Sequence, residues 1–197
     1  MEEHTKIIIG SILGDGSLSP VSTTQRTSRI DISQHNSKLP YLKWLYVKLS
    51  VGMRLSSVYP KRGYNLHRFC SKSNKELGYF RELFYSKNGK KIIPTVINSI
   101  LRDPISLAVW YMDDGNLDKR TKYHFNATIA TYCFSFIECQ RLSDVLKENF
   151  KVRSSVNKTK MRGKTYPRLY IWSESMDRFI SIIRPIIHPV FKYKIGE

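Results

Sequence analysis

The chain has 197 residues, 41% hydrophobic and 25% charged, which suits a buried core and argues against intrinsic disorder. Its 33 Lys and Arg stand against 16 Asp and Glu, a formal charge of +17. That surplus repels itself in a compact fold and points to a polyanionic partner, nucleic acid first and an anionic membrane surface second. No apolar run approaches the roughly 18 residues of a membrane-spanning helix. The opening Met1-Glu2-Glu3-His4 lacks the basic and apolar regions of a secretory signal. Cys70, Cys133 and Cys139 form no CxxC pair, so free thiols in a reducing compartment are expected rather than disulfides or a zinc site.

In chain order, Thr5 to Gly14 reads as a buried helix stopped at Gly16. Ser17 to Val21 is a weak strand candidate, and Arg29 to Gln34 alternates polar and apolar as a half-buried strand does. Tyr41 to Val51 has helical spacing. Leu55 to Tyr59 and Leu66 to Cys70 form a hairpin around Lys61-Arg62-Gly63-Tyr64. Ser73-Asn74-Lys75-Glu76 reads as a capping box opening a helix to about Tyr85. Asp103-Pro104 opens a second apolar helix. Lys122 to Phe125 is again weak, and Asn126 to Thr131 reads as a strand. Ser135-Phe136-Ile137-Glu138 caps a helix to about Asn149. Val152 to Lys158 and Arg168 to Trp172 make a hairpin around Arg162-Gly163, and Glu174 to Ile183 is the last helix, stopped by Pro185.

This order repeats. Ile8-Ile9-Gly10-Ser11-Ile12-Leu13-Gly14-Asp15-Gly16 recurs as Leu107-Ala108-Val109-Trp110-Tyr111-Met112-Asp113-Asp114-Gly115, at an offset of 99. Lys61-Arg62-Gly63 is echoed by Met161-Arg162-Gly163, and His67-Arg68-Phe69 by Pro167-Arg168-Leu169, both at an offset of 100. Two repeats, 1–100 and 101–197, with a pseudo-twofold relation are expected. Gly10 and Gly14 line one helix face and permit close approach of another helix.

Asp15 and Asp114 close the two apolar helices, where a carboxylate meets the negative end of the helix dipole. Two such carboxylates also repel each other. Both costs point to a bound cation. Carboxylates with helix-end oxygens at Gly14 and Asp113 suit Mg²⁺, with Mn²⁺ as a substitute. No Gly-rich phosphate loop, Ser/His/Asp set or nuclease-type histidine pair accompanies them.

The second copy of the Asp-Gly motif, 107–115, with Lys90-Lys91-Ile92-Ile93-Pro94, Pro104-Ile105-Ser106 and the stretch from Pro189 through Tyr193-Lys194, resembles the LAGLIDADG homing endonucleases, strongly in the second half and more weakly in the first. The resemblance implies an α+β fold of two α-β-β-α-β-β-α units in one chain, whose antiparallel sheets form a saddle over duplex DNA. It implies that Asp15 and Asp114 bind metal beside the scissile phosphates. It also assigns Lys91 and Lys194 as the basic residue of each site, and Gln34 as a residue ordering active-site water. Tyr132 stands where the second half would carry the counterpart of Gln34, which leaves the two sites unequal. A minimal, monomeric, single-chain member is expected.

Arg26, Arg29, Lys61, Arg62, Arg68, Lys158, Lys160, Arg162, Lys164 and Arg168 cluster on strands and hairpin tips, where they would meet DNA. Strand residues can read base edges in the major groove, while tip residues contact phosphate and position the protein. The expected activity is site-specific double-strand cleavage with Mg²⁺, promoting intron or intein mobility. The alternative is a maturase that binds host intron RNA. The expected setting is intracellular, in a bacterial cytoplasm or an organelle matrix, with no membrane partner.

Overall fold

The computed structural model describes residues 1–120 and 125–197. The chain divides into two compact units, Met1–Lys90 and Lys91–Glu197. The repeat alone sets the division ten residues later. The segment 91–100 goes with the second unit because its main chain is held there. The N–H of Ile93 donates to Glu138 at 3.0 Å, and Arg141 donates to the Ile93 carbonyl at 3.1 Å. Asn149 Nδ2 bonds the carbonyls of Asn98 and Leu101, each at 2.8 Å.

In the first unit, helix α1 (Glu3–Leu13) is followed by strands β1 (Ser17–Leu18) and β2 (Ile30–His35), then by helix α2 (Leu39–Ser50). Strands β3 (Tyr59–Pro60) and β4 (Leu66–Cys70) lead to helix α3 (Lys75–Phe84). The strands form one antiparallel sheet in the order β1-β2-β4-β3. Ile30 and Ile32 of β2 and Phe69 of β4 are fully buried on one sheet face, with Ile32 directly opposite Phe69. Helix α2 covers them with Tyr41, Leu42, Leu45 and Leu49, all without exposure. The Tyr46 ring meets Phe69 edge-on at 5.6 Å. The cap of α3 is Asn74, whose side chain accepts from the Leu77 N–H at 2.8 Å, one residue beyond the Ser73 expected from the capping-box pattern. Gly78 on α3 lies so close to the Arg26 carbonyl that a Cβ would stand 2.0 Å from it, which fixes glycine there.

The second unit adds a single turn, α4 (Ile97–Ile100), and then repeats the pattern. Helix α5 (Pro104–Asp114) precedes β5 (Gly115–Lys119) and β6 (Phe125–Ala130). Helix α6 (Phe136–Phe150), β7 (Ser154–Met161), β8 (Lys164–Ile171) and helix α7 (Met176–Ile183) follow, and a 3₁₀ segment, Pro189–Ile195, ends the unit. The sheet is antiparallel with the order β5-β6-β8-β7. The α+β class and the α-β-β-α-β-β-α order of each unit are as the sequence predicts. Residues 122–124 of the weak strand candidate lie outside the described residues. Strand β5 starts directly after the helix, ahead of the weak candidate at 122–125, and its Gly-Asn-Leu-Asp-Lys alternates too poorly to signal a strand.

Ala127, Ile129, Leu169 and Ile171 make the buried sheet face, covered by α6 through Leu142, Val145 and Leu146. The capping box forms as predicted: Ser135 Oγ accepts from the Glu138 N–H, and the Glu138 carboxylate accepts from the Ser135 N–H at 2.7 Å. Ser135→Ala removes one half of this exchange. It should lower unfolding free energy by about 1 kcal/mol, shifting the denaturant midpoint without changing the slope.

Candidate active site

In the first unit, α1 is closed by main-chain bonds, Gly14 N–H to Gly10 O at 3.0 Å and Gly16 N–H to Ser11 O at 2.7 Å. A Cβ on Gly16 would sit 2.8 Å from the Ser11 oxygen, so this turn needs glycine. Asp15 is thereby held out on the surface between the helix and β1. Gln34 lies near the end of β2 in the same phase as Ile30 and Ile32, and is 7% exposed. A carboxamide buried in a core-facing phase needs a partner. Its Nε2 donates to Asp15 Oδ2 at 2.8 Å, which fixes the orientation of the carboxylate.

In the second unit, Asp103 caps α5 by accepting from the Ile105 N–H at 2.9 Å, with Pro104 in the first turn. Asp114 is the last helical residue and Gly115 opens β5. The Gly115 N–H bonds the Tyr111 carbonyl. The Tyr111 ring fills the space beside Gly115, where a Cβ would fall 2.1 Å from it. Tyr111 is buried, and burial, then the nearby Tyr193, holds its phenol well above its usual pKa. Its hydroxyl donates to the Lys194 carbonyl at 2.8 Å. The Lys194 ammonium, on the 3₁₀ segment, is 7% exposed and donates to the Met112 carbonyl at 2.6 Å. The carbonyls of Asp113 and Tyr111 lie at 3.4 and 3.5 Å from the same nitrogen. Lys91 is half-buried at the start of the second unit.

The strand registers correct one sequence equivalence. Ser17 pairs with Asp31 and Asn116 with Thr128, while Ile32 faces Phe69 and Ile129 faces Leu169. Gln34 therefore corresponds to Thr131, not to Tyr132. Counting the repeat by whole-chain offset misses this, because the loop between the first two strands differs in length between the units. Thr131 is fully buried, and its hydroxyl donates to the Pro167 carbonyl at 3.0 Å.

Each sheet has a second face, opposite its helices. In the first unit that phase carries Asp31, Ser33, His35 and Arg68. Arg68 pairs with Asp31 and lies 5.9 Å from the Tyr59 ring. In the second unit it carries Asn116, Asn126, Thr128, Arg168 and Tyr170. Arg68 and Arg168 hold equivalent places, opposite Ser33 and Ala130. Nε of both arginines, Oδ1 of Asn126 and Oγ1 of Thr128 are buried without a hydrogen-bond partner. Such atoms carry a desolvation cost until something bonds them. The sequence reading missed Asn126 and Thr128, although the alternation in Phe-Asn-Ala-Thr-Ile-Ala assigns both to the polar phase.

The remaining basic residues divide by position. Lys61, over the Tyr64 ring at 4.4 Å, and Arg62 sit at the first hairpin tip. Arg162 (φ 49°) and Gly163 (φ 74°) form the second, with Lys164 beside them. Arg29 is exposed just before β2, and Lys158 and Lys160 are exposed on β7. Arg26 is engaged instead by Glu82 of α3, at 2.7 and 2.8 Å to the two carboxylate oxygens.

A family model described as the LAGLIDADG DNA endonuclease family matches residues 5–179. The chain belongs to this family. Among LAGLIDADG relatives, the cytochrome b mRNA maturase bI2 of Saccharomyces cerevisiae is 29% identical over 97% of this chain and 47% of its own length. The chain thus spans about half of that maturase. The DNA endonuclease I-ChuI of Chlamydomonas applanata is 26% identical over 100% of this chain and 95% of its own. In three dimensions the chain is similar to the homing endonuclease I-WcaI bound to its DNA recognition sequence. The TM-score is 0.79 with 22% identity, covering 99% of this chain and 86% of that one. It is also similar to I-DmoI in complex with DNA and Mn, with a TM-score of 0.60, 20% identity and coverage of 92% and 96%. Among the described residues no three His, Cys, Asp or Glu side chains gather into a metal cluster. The motif acids of this LAGLIDADG chain, Asp15 and Asp114, stand at separate helix ends.

Proposed function

We propose that this chain is a site-specific homing endonuclease that breaks both strands of a long DNA target by Mg²⁺-dependent phosphodiester hydrolysis and so promotes intron or intein mobility. The observation that carries the reading is the repeated pairing, in each unit, of a carboxylate at a helix C-terminus with a sheet face of arginine and unbonded polar atoms. The relatives that cut or bind DNA support it.

The donor set fits a hard divalent cation. Asp15 and Asp114 offer carboxylate oxygen, and Gly14 and Asp113 offer main-chain oxygen at the negative helix ends. In each unit the acid and its neighbouring main-chain oxygen would hold Mg²⁺, or Mn²⁺ in its place, and the metal when bound would supply Lewis-acid stabilisation of charge on the scissile phosphate. Gln34 keeps Asp15 turned for that duty. Lys91 is proposed as a cation on the phosphate side. Arg68 and Arg168 are proposed to read base edges, where a guanidinium meets guanine with two donors. Lys61, Arg62, Arg162, Lys164, Lys158, Lys160 and Arg29 are proposed to neutralise phosphates. With one acid per repeat, a single chain suffices for a duplex. The three free thiols agree with an intracellular, reducing setting such as a bacterial cytoplasm or an organelle matrix.

The similarity to the bI2 maturase favours a second reading, in which the same surface binds host intron RNA and assists splicing. Cleavage of a randomised plasmid library with Mg²⁺, beside a binding assay with the flanking intron RNA, separates the two.

Asp15→Asn and Asp114→Asn should each abolish double-strand cleavage and leave DNA affinity intact or slightly raised, since a charge repelling phosphate is gone. Linearisation of target plasmid at the wild-type rate by either variant would remove that acid from the mechanism.

The two kinds of basic residue should separate in binding. Arg168→Ala should cost about 1–3 kcal/mol on the cognate site and relax preference at one base pair. Lys160→Ala should weaken binding to all sequences alike and reduce the salt slope by about 0.9. Fluorescence anisotropy against salt, on cognate and scrambled duplexes, reads both.

A further inference from the structure

We infer that Lys194 is a positioning residue: with Tyr111 it clamps the carboxyl end of α5 and so holds Asp114 in place for metal. The inference rests on the reading of Asp114 as a metal-binding acid, and it gives Lys194 a different duty from the phosphate contact that the family resemblance implies.

The argument starts from the helix end. The last carbonyls of a helix lack intrahelical partners and carry the negative pole of its dipole. Here the chain also places Asp113 and Asp114 at that pole. Without compensation this end of α5 would fray, and the carboxylate would have no fixed direction. Lys194 supplies the compensation. Its three N–H bonds match in number the three carbonyl oxygens of Met112, Asp113 and Tyr111, the closest at 2.6 Å. An ammonium this buried needs such partners, because an unbonded one would be strongly penalised. The contact is reciprocal. The Tyr111 hydroxyl bonds the main-chain carbonyl of the same lysine at 2.8 Å. The Tyr111 ring stacks edge-on against Phe179 of α7 at 4.9 Å, which anchors the clamp in the unit's core. Gly115, shaped to the Tyr111 ring, passes the chain directly from the clamped turn into β5.

The first unit handles the corresponding acid by a side-chain bond from Gln34. Thr131, at the matching place just after β6, donates to the Pro167 carbonyl. The first unit thus has a side-chain bond from Gln34 to its acid, and the second an ammonium bonded to the carbonyls of the helix end beneath its acid.

The test uses the full chain with a target duplex labelled at each 5′ end. Single-turnover cleavage is followed strand by strand at saturating DNA across a Mg²⁺ titration. Amide hydrogen exchange at Asp114 and Gly115 is measured on the metal-free protein. The variants are Lys194→Met, Tyr111→Phe, their combination, and Asp114→Asn as reference. Loss of a group that orients a metal ligand costs about 10- to 100-fold in metal affinity or activity. Lys194→Met should therefore slow the strand lost in Asp114→Asn by about that factor. It should also raise the Mg²⁺ midpoint for that strand and speed exchange at Gly115, with the other strand cut nearly as before. Tyr111→Phe leaves the ammonium untouched and should show the same pattern more mildly, and the double variant should fall short of the summed effects.

If Lys194→Met slows cleavage while the Mg²⁺ midpoint and Gly115 exchange stay as in wild type, and Tyr111→Phe is silent, the ammonium acts on the reacting phosphate and the clamp is refuted. Normal cleavage of both strands by Lys194→Met, with Asp114→Asn inactive, refutes it equally. If Asp114→Asn itself cuts both strands, the metal reading fails, and Gly115 exchange alone decides whether the clamp exists. Should Lys194→Met not fold, by its melting curve, Tyr111→Phe decides the outcome through the same measurements.

Discussion

A carboxylate at the carboxyl end of a helix is badly placed by electrostatics, because the dipole and the unbonded carbonyls already make that end negative. Each unit of this chain contains that arrangement, and much of the local structure offsets it. The first unit turns the chain sharply at Gly16, exposes Asp15 to high-dielectric solvent and lets a buried carboxamide bond its oxygen. The second keeps the acid inside the last helical turn and brings an ammonium to the carbonyls below it. Both order the surroundings of an acid that is not itself buried.

The sheets follow a related logic. One face of each is packed with aliphatic and aromatic side chains under helices, and this supplies the folding energy. The other face holds polar atoms that bond nothing within the protein. In the first unit Asp31 already restrains Arg68, whereas in the second the equivalent neighbour of Arg168 is Thr128. The first arginine is thus stiffer before binding and the second freer. A ligand with donors and acceptors along its edge would satisfy more of these atoms than water in a crowded face can.

Much of this was legible in the sequence. The Asp-Gly copies, the capping box at Ser135 and the alternation of β2 and β6 carried the repeat, the order of its elements and the location of Asp15 and Asp114 at helix ends. Three things were not legible, each for a physical reason. The counterpart of Gln34 depends on strand register, and a difference in loop length shifts it to Thr131. The segment 91–100 joins the second unit through main-chain bonds to Glu138, Arg141 and Asn149, which leave no compositional trace. The contact of Lys194 with α5 joins residues some 80 positions apart, beyond the reach of any local pattern.

The hairpin tip at Arg162 carries a different lesson. Among the described residues, the non-glycine positions with positive φ are Arg26, Lys151 and Arg162, all cations. The left-handed conformation costs an ordinary side chain about 1 kcal/mol, and asparagine tolerates it best. A turn shaped by folding alone would drift toward Asn-Gly. At 162–163 the chain carries Arg-Gly instead, which sets a charge, at some cost in stability, at the tip of a basic hairpin. Replacing Arg162 by asparagine would relax the turn and strip the tip of its charge in one step, so at this position foldability and surface charge pull in opposite directions.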